Sequence, residues 1–206
     1  MDHNLLLLFI PTFFAVSITP GMCMTLAMTL GMTIGIRRSL WMMLGELVGV
    51  GLVALSALVG VATILLARPN LFLFLKYAGG AYLLYLGIQM WRSRGKMAIP
   101  ATPVNQDSVK RTALISQGFI TAIANPKGWA FMISLLPPFI NADNALLPQA
   151  TQLIAVILCF ELTCMLIYAT GGKTLRHLLQ QQSSVKLLNR IAGSMMMLVA
   201  VWLVVS

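Results

Sequence analysis

Long apolar stretches, interrupted by short clusters of charge and turn residues, dominate the chain. Asn4 to Ile36 and Ser39 to Ala67 contain no charge except Glu46, and a helix needs only about 20 predominantly apolar residues to cross a bilayer core. Reading charges, prolines and glycines as punctuation predicts six spans, near 5–30, 40–66, 70–91, 113–136, 148–171 and 188–205. Arg37 and Arg38 close the first, and Arg68, Pro69 and Asn70 divide the second from the third. Arg92, Arg94 and Lys96 stop the third, Pro137 and Pro138 the fourth, and Gly171 and Gly172 the fifth, which begins after Asp143. The expected fold is an all-α polytopic membrane helix bundle of about six transmembrane helices, one domain over residues 1–206.

Composition sharpens this picture. Of 206 residues, 59% are hydrophobic and 9% charged, too few ionisable groups to keep a soluble surface dispersed and too apolar for a disordered chain. The net charge of +9 raises nucleic acid as a partner. The bases, however, gather between the apolar stretches without interleaved aromatics, as membrane orientation requires. Arg37, Arg38, Arg92, Arg94, Lys96, Lys110, Arg111, Lys173, Arg176, Lys186 and Arg190 fall in or beside the odd-numbered loops, against Arg68 alone on the other side. That bias puts loops one, three and five in the cytoplasm and both termini outside. The first residues, Met1 to Asn4, lack the basic start of a cleavable signal, so the first span is expected to be retained. Cys23, Cys159 and Cys164 lie in apolar segments without metal-ligand spacing and read as small buried hydrophobes.

The stretch 93–110, with Gly95, Pro100 and Pro103, reads as an exposed cytoplasmic linker between repeats of about 1–92 and 111–206. Gln180 to Ser184 reads as a second exposed connection. Three spans on each side of the main linker force opposite orientations. Thr19-Pro20-Gly21 then faces Asn125-Pro126-Lys127, Glu46 faces Glu161, and Lys76-Tyr77-Ala78-Gly79 faces Arg190-Ile191-Ala192-Gly193. Two inverted repeats of three helices are the architecture of secondary transporters, in which interrupted helices meet near the bilayer midplane.

Pro20 followed by Gly21, and Pro126, should break the first and fourth helices, because proline lacks an amide hydrogen and clashes with the preceding turn. Thr19 and Asn125 add neutral donors and acceptors beside the freed backbone, suited to a zwitterion. Lys127 places a cation there that can hold a carboxylate, unless its long stem carries it elsewhere. Glu46 and Glu161 lie inside apolar runs, where an ionised carboxylate costs about 3 kcal/mol on insertion scales unless paired or hydrated. Either they exchange protons between the two faces or they pair with Lys76, Lys127 or Arg190 to hold the bundle together. Lys76 lies near the outer interface, where snorkelling accounts for it. The pairs Gly45/Gly49 and Gly31/Gly35 have the spacing of close helix packing. The rows Met22, Met24, Met28, Met32 and Met195 to Met197 read as flexible packing rather than as a soft-metal path.

With these residues in view, the chain resembles the LysE/RhtB family of bacterial amino-acid exporters. Thr19-Pro20-Gly21, the run from Lys76 through Gly87, and Gly118-Phe119 through Asn125-Pro126-Lys127 carry the resemblance, which covers nearly the whole chain. It implies a bacterial inner-membrane protein that exports amino acids or close derivatives, driven by the proton gradient. Members usually continue the first motif as Pro-Gly-Pro-Asn, whereas Met22 and Cys23 stand here. Replacing asparagine by Cys23 removes a strong donor and acceptor from the substrate-binding set and points to a less polar substrate.

The resulting expectation is a transporter, not an enzyme, needing no cofactor or metal and binding no nucleic acid. An amino acid or derivative exchanges for protons across the lipid bilayer, in a chain that could form a homo-oligomer. Thr19, Pro20, Gly21, Cys23, Asn125, Pro126 and Lys127 form the substrate site, with Glu46 and Glu161 for proton coupling. The alternatives are efflux of a cation or another small metabolite, and a membrane scaffold subunit that transports nothing.

Overall fold

The computed structural model of the chain describes residues 3–67, 69–93, 110–136, 139–141 and 144–205. Among these the regular elements are helices: α1 (His3–Ser17), α2 (Met22–Thr33), α3 (Ile36–Ala67), α4 (Pro69–Arg92), α5 (Arg111–Ile123), α6 (Pro126–Leu135), α7 (Leu146–Gln180) and α8 (Gln182–Val205). Stretches within α3, α7 and α8 are long and apolar enough to cross a membrane, and α1 and α2 together make a fourth such span, bent by 58° at its break. The protein is thus an all-helical polytopic membrane protein.

Each predicted span coincides with a helix or a helix pair, and the two pairs, α1–α2 and α5–α6, are split at the Pro20 and Pro126 motifs. Pro11, by contrast, sits inside α1 without ending it. At Pro20 the chain leaves the helix, and Gly21 continues it in ordinary extended backbone (φ −137°, ψ −175°). At the second break Asn125 caps α6, its side chain accepting from the Lys127 backbone N–H, with Pro126 at the first turn where its missing amide is harmless.

Some boundaries differ from the sequence reading, for local reasons. The fifth predicted span does end at Gly172, where the apolar stretch closes and the backbone leaves helical geometry (φ 47°, ψ −132°), but after this kink, which glycine adopts without strain, a second helical stretch carries α7 on to Gln180. The expected connection at Gln180 to Ser184 shrinks to Gln181, because glutamine is a good helix former and charge or polarity ends a span without ending a helix. Gly35 is not a packing residue. It lies in the left-handed region (φ 81°) just after α2, with open space around it, and turns the chain into α3. Cys23 and Cys164 are buried as expected, but Cys159 is exposed on α7, since an apolar residue on a membrane helix can face lipid instead of the core. Arg68, the interior of the 93–110 linker, Pro137, Pro138, Asp143 and the side chain of Lys76 lie outside the described residues.

The most extensive packing joins helices from opposite ends of the chain: α3 on α5, α4 on α8 and α2 on α7. Glycine makes these approaches possible. A Cβ on Gly45 would overlap the Ile115 carbonyl, and one on Gly118 would overlap the Met42 carbonyl, so α3 and α5 cross backbone to backbone. Gly31 meets Ala169 on α7 in the same way, and Gly87 meets Gly193 where α4 crosses α8. Two apolar clusters fill the remaining space. One centres on Phe9, Phe13, Leu58, Phe131 and Phe139, the other on Met24, Met28, Met42, Met43, Met165 and Tyr168. Methionine here packs, as its flexibility suits.

Cations gather at one end of the bundle with aromatic partners. The Arg111 guanidinium lies 5.2 Å from the Trp41 ring centroid at the start of α5 and near the start of α3, and that of Arg190, about two turns into α8, lies 4.8 Å from Trp91 at the end of α4. Arg190 is therefore engaged on tryptophan and holds neither buried glutamate.

Gly118→Ala should force α3 and α5 apart and destabilise the protein by about 2 kcal/mol or more. Gly60→Ala, where an added Cβ meets nothing within 4 Å, should be neutral. Thermal unfolding of both variants in detergent, followed by loss of the monodisperse species, checks the contrast.

Candidate functional site

A helix interrupted in hydrocarbon leaves backbone groups that only protein or water can satisfy. Both breaks meet this requirement through side chains from elsewhere. At the end of α1, Thr19 Oγ1 donates to the carbonyls of Ala15 and Val16 at 2.9 and 2.6 Å, and Tyr168 Oη on α7 donates to the Ile18 carbonyl at 2.8 Å. At the end of α5, Trp129 Nε1 donates to the Ile123 carbonyl at 2.8 Å. Each break is thus closed by a polar aromatic residue.

Between the breaks lies a cavity whose polar lining is Ser17, Cys23, Glu46, Asn125, Lys127 and Glu161, with Thr19 and Gly21 at its margin and Phe13, Phe131 and Met132 among its apolar walls. Five helices (α1, α2, α3, α6 and α7) and the two breaks supply this set, drawn from both halves of the chain. Most of the residues singled out from sequence therefore converge. The two prolines do not: Pro20 faces a neighbouring cleft, and Pro126 opens α6 and lines neither cavity. Their part in the architecture is to interrupt the helices. The Thr19 hydroxyl proton is spent on its own helix, leaving only the oxygen lone pairs for a ligand.

The two carboxyls are held differently. Glu161 accepts a hydrogen bond from Ser17 Oγ at 2.9 Å and feels the charge of Lys127. Glu46 is 1% exposed, and what meets its carboxyl is the Cys23 thiol, a weak donor that makes no full hydrogen bond to either oxygen. A buried carboxyl so weakly partnered is costly to keep for stability alone. The Lys127 ammonium lies 5.5 Å from the Phe131 ring centroid and close to Gly21, where a Cβ would stand 3.9 Å from Nζ. It does not snorkel to an interface; it sits where the two breaks face each other. Asn125 Nδ2 points at Cys23 Sγ at 3.8 Å, a weak contact that joins the breaks directly. Met22, the other departure from the usual motif, is 48% exposed and points away from the cavity.

Sequence reasoning missed Ser17, Tyr168, Trp129 and Phe131. Ser17 carried a local signal, a polar residue two positions before Thr19 in an apolar run. Tyr168 carried none, because its partner is 150 residues away in sequence.

A pocket of mixed charge at two helix breaks inside a polytopic helix bundle is the arrangement of a membrane translocator. Residues 14–206 match the family described as LysE type translocator, and the chain belongs to that family. It is 30% identical over 151 residues to a homoserine/homoserine lactone efflux protein of Salmonella typhimurium, covering 73% of this chain and 72% of that one. It is 25% identical over 197 residues to an uncharacterised membrane protein of Vibrio cholerae, covering 96% and 95% of the two chains. No solved structure matches the chain significantly.

Tyr168→Phe should leave the Ile18 carbonyl unpaired at the first break and lower stability by about 1 to 3 kcal/mol. Thr170→Ala, which removes an exposed hydroxyl bonded to its own helix, should cost much less. Chemical or thermal denaturation of the purified variants distinguishes the two.

Proposed function

We propose that the protein is a secondary carrier that exports a small amino acid or amino-acid derivative from the cytoplasm in exchange for protons. The observation that carries this reading is the convergence of Glu46, Glu161 and Lys127 on one cavity between two broken helices. Similarity to a homoserine/homoserine lactone efflux protein makes homoserine the first substrate to try.

Charge counting gives the mechanism. With both carboxyls ionised, the cavity holds two negative charges against the single positive charge of Lys127. A proton neutralises the excess; a zwitterion, net neutral, leaves it unchanged but can set its ammonium against the same carboxylate while Lys127 takes its carboxylate, so proton and substrate compete for one group and exchange there. Glu46 is the exchanging group, because only the weakly donating Cys23 thiol stands against its oxygens, whereas Glu161 is held by a serine hydroxyl. Glu161, steadied by Ser17, keeps Lys127 in the cavity, where the ammonium receives the substrate carboxylate. Asn125 and the oxygen of Thr19 complete the polar contacts, and Cys23 makes that wall less polar than asparagine would. Phe13 and Phe131 bound the space for an unbranched, modest side chain.

Alternating access follows from a six-span reading, in which α4 and the α5–α6 pair cross the membrane beside the four spans already described. Residues 1–92 and 111–206 then form inverted repeats, supported by the matched breaks and by packing that joins each half to the other. The positive-inside distribution favours cytoplasmic placement of the Arg111–Trp41 and Arg190–Trp91 end, with both termini periplasmic in a bacterial inner membrane.

Purified protein in sealed liposomes should show counterflow of radiolabelled homoserine, accelerated by an opposing pH gradient. Glu46→Gln should abolish the pH acceleration while retaining some passive exchange, and Lys127→Met should reduce all homoserine flux by about tenfold or more. Absence of counterflow over a broad amino-acid panel, with folding verified, would favour a scaffold. Flux that follows an inorganic cation regardless of amino acid would favour cation efflux. Cys23→Asn should shift the substrate profile toward more polar amino acids; an unchanged profile would remove Cys23 from the binding set.

A further inference from the structure

A second cavity is left over once the central one is assigned. It is a polar cleft lined by Thr19, Pro20, Gln89, Ser93, Lys127 and Asn189. Thr19 and Lys127 line both cavities, so the two adjoin at the helix breaks.

The far end of the cleft can be placed from the helices that build it. Ser93 directly follows the last residue of α4, and Asn189 lies about 10 Å along α8 from its start at Gln182. Both are beside the Arg190–Trp91 pair, at the cation-rich end of the bundle. Deeper in, Gly87 and Gly193 bring the backbones of α4 and α8 together and seal that seam. The cleft therefore runs from the cation-rich end down to Lys127. Its lip is polar: Asn189 Nδ2 donates to Ser93 Oγ at 3.1 Å, and Gln89 Nε2 donates to Tyr85 Oη at 2.5 Å.

Uncharged amide and hydroxyl groups in a membrane bundle suit a passage for a polar solute. They replace part of its hydration without a fixed charge to trap it, and a transit site must bind weakly enough to release. On the exporter reading given above, and with the cation-rich end in the cytoplasm, we propose that this cleft is the cytoplasmic portal of the carrier. It is a transit subsite in which Asn189, Gln89 and Ser93 meet the polar groups of a zwitterion before Lys127 draws its carboxylate into the central cavity. Lys127 is then the shared wall between portal and cavity and serves both in turn.

Sided cysteine labelling tests the portal. Asn189→Cys is treated with a membrane-impermeant, charged methanethiosulfonate in right-side-out and in inverted membrane vesicles, with Leu147→Cys, exposed at the start of α7, as the opposite-face control and the parent chain as the blank. The expected result is modification of N189C in inverted vesicles only and of L147C in right-side-out vesicles only. Modification of N189C should also cut homoserine counterflow by about tenfold. Asn189→Leu should raise the half-saturating cytoplasmic homoserine concentration several-fold while the maximal rate changes little, as loss of a transit contact would.

Reaction of N189C from the outer face, from both faces or from neither would overturn the portal, as would complete modification without loss of flux. Ser93→Cys, read in the same way, decides the matter if N189C fails to assemble. Should the parent chain carry no homoserine, the exporter reading falls by itself. The portal is then judged by labelling alone: cytoplasm-only modification upholds a water-filled cleft at this place, and any other pattern rejects it.

Discussion

Hydrocarbon offers no hydrogen bonds, so any interruption of a helix within the membrane must be answered by other parts of the protein. That constraint organises this molecule. The breaks at Pro20 and Pro126 free carbonyls at Ile18 and Ile123, and the answers come from Tyr168 on α7 and Trp129 on α6. To deliver Tyr168, α7 has to lie against the first span, and Gly31 lets α2 approach it closely enough. The same logic brings α5 onto α3 through Gly45 and Gly118, which sets Glu46 facing the second break. Polar chemistry at depth and close helix packing are therefore one problem with a joint solution. A bundle that packed more loosely would leave the breaks unanswered.

The same constraint accounts for what was legible in the sequence. Breaks, buried charges and span number leave marks that are local or periodic: Pro20-Gly21, Asn125-Pro126, Glu46 in a run otherwise free of charge. Their convergence could be anticipated, because a lone polar group in lipid has few places to go. Partners across the bundle leave no such mark. Tyr168 looks like an ordinary aromatic in an apolar helix, and Gly118 like any glycine, until the carbonyls beside them are known. Helix ends were misread where polarity was taken for termination, as at Gln180 to Ser184. Gly35 was misread because a turn glycine and a packing glycine are identical in sequence.

The unequal treatment of the two glutamates bears on the proposed exchange of substrate for protons. If both carboxyls were satisfied by protein, the cavity would be a stable polar core with little reason to bind anything. If neither were, the cost of about 3 kcal/mol for each charge at depth would be doubled with no means of holding Lys127 in place. One tethered carboxyl and one open one resolve this. In the proposed exchange Glu161, held by Ser17, steadies the cation, and Glu46, met only by a weakly donating thiol, is the carboxyl left for an exchangeable ligand.

On the proposed reading, substrate selection rests on a wall that both breaks share. Asn125 reaches toward Cys23 across the gap, and a thiol accepts a hydrogen bond far more weakly than an amide oxygen would. The contact between the two halves at this point is consequently soft, and the Asn125 amide is left with donor and acceptor capacity to spend on a ligand. A stronger acceptor at Cys23 would draw Asn125 into a fixed bridge between the breaks, making the closed cavity more rigid and the amide less available. On that reading position 23 tunes two properties at once, the polarity a substrate meets and the ease with which the two breaks separate. The second could change rate even where the first leaves affinity untouched.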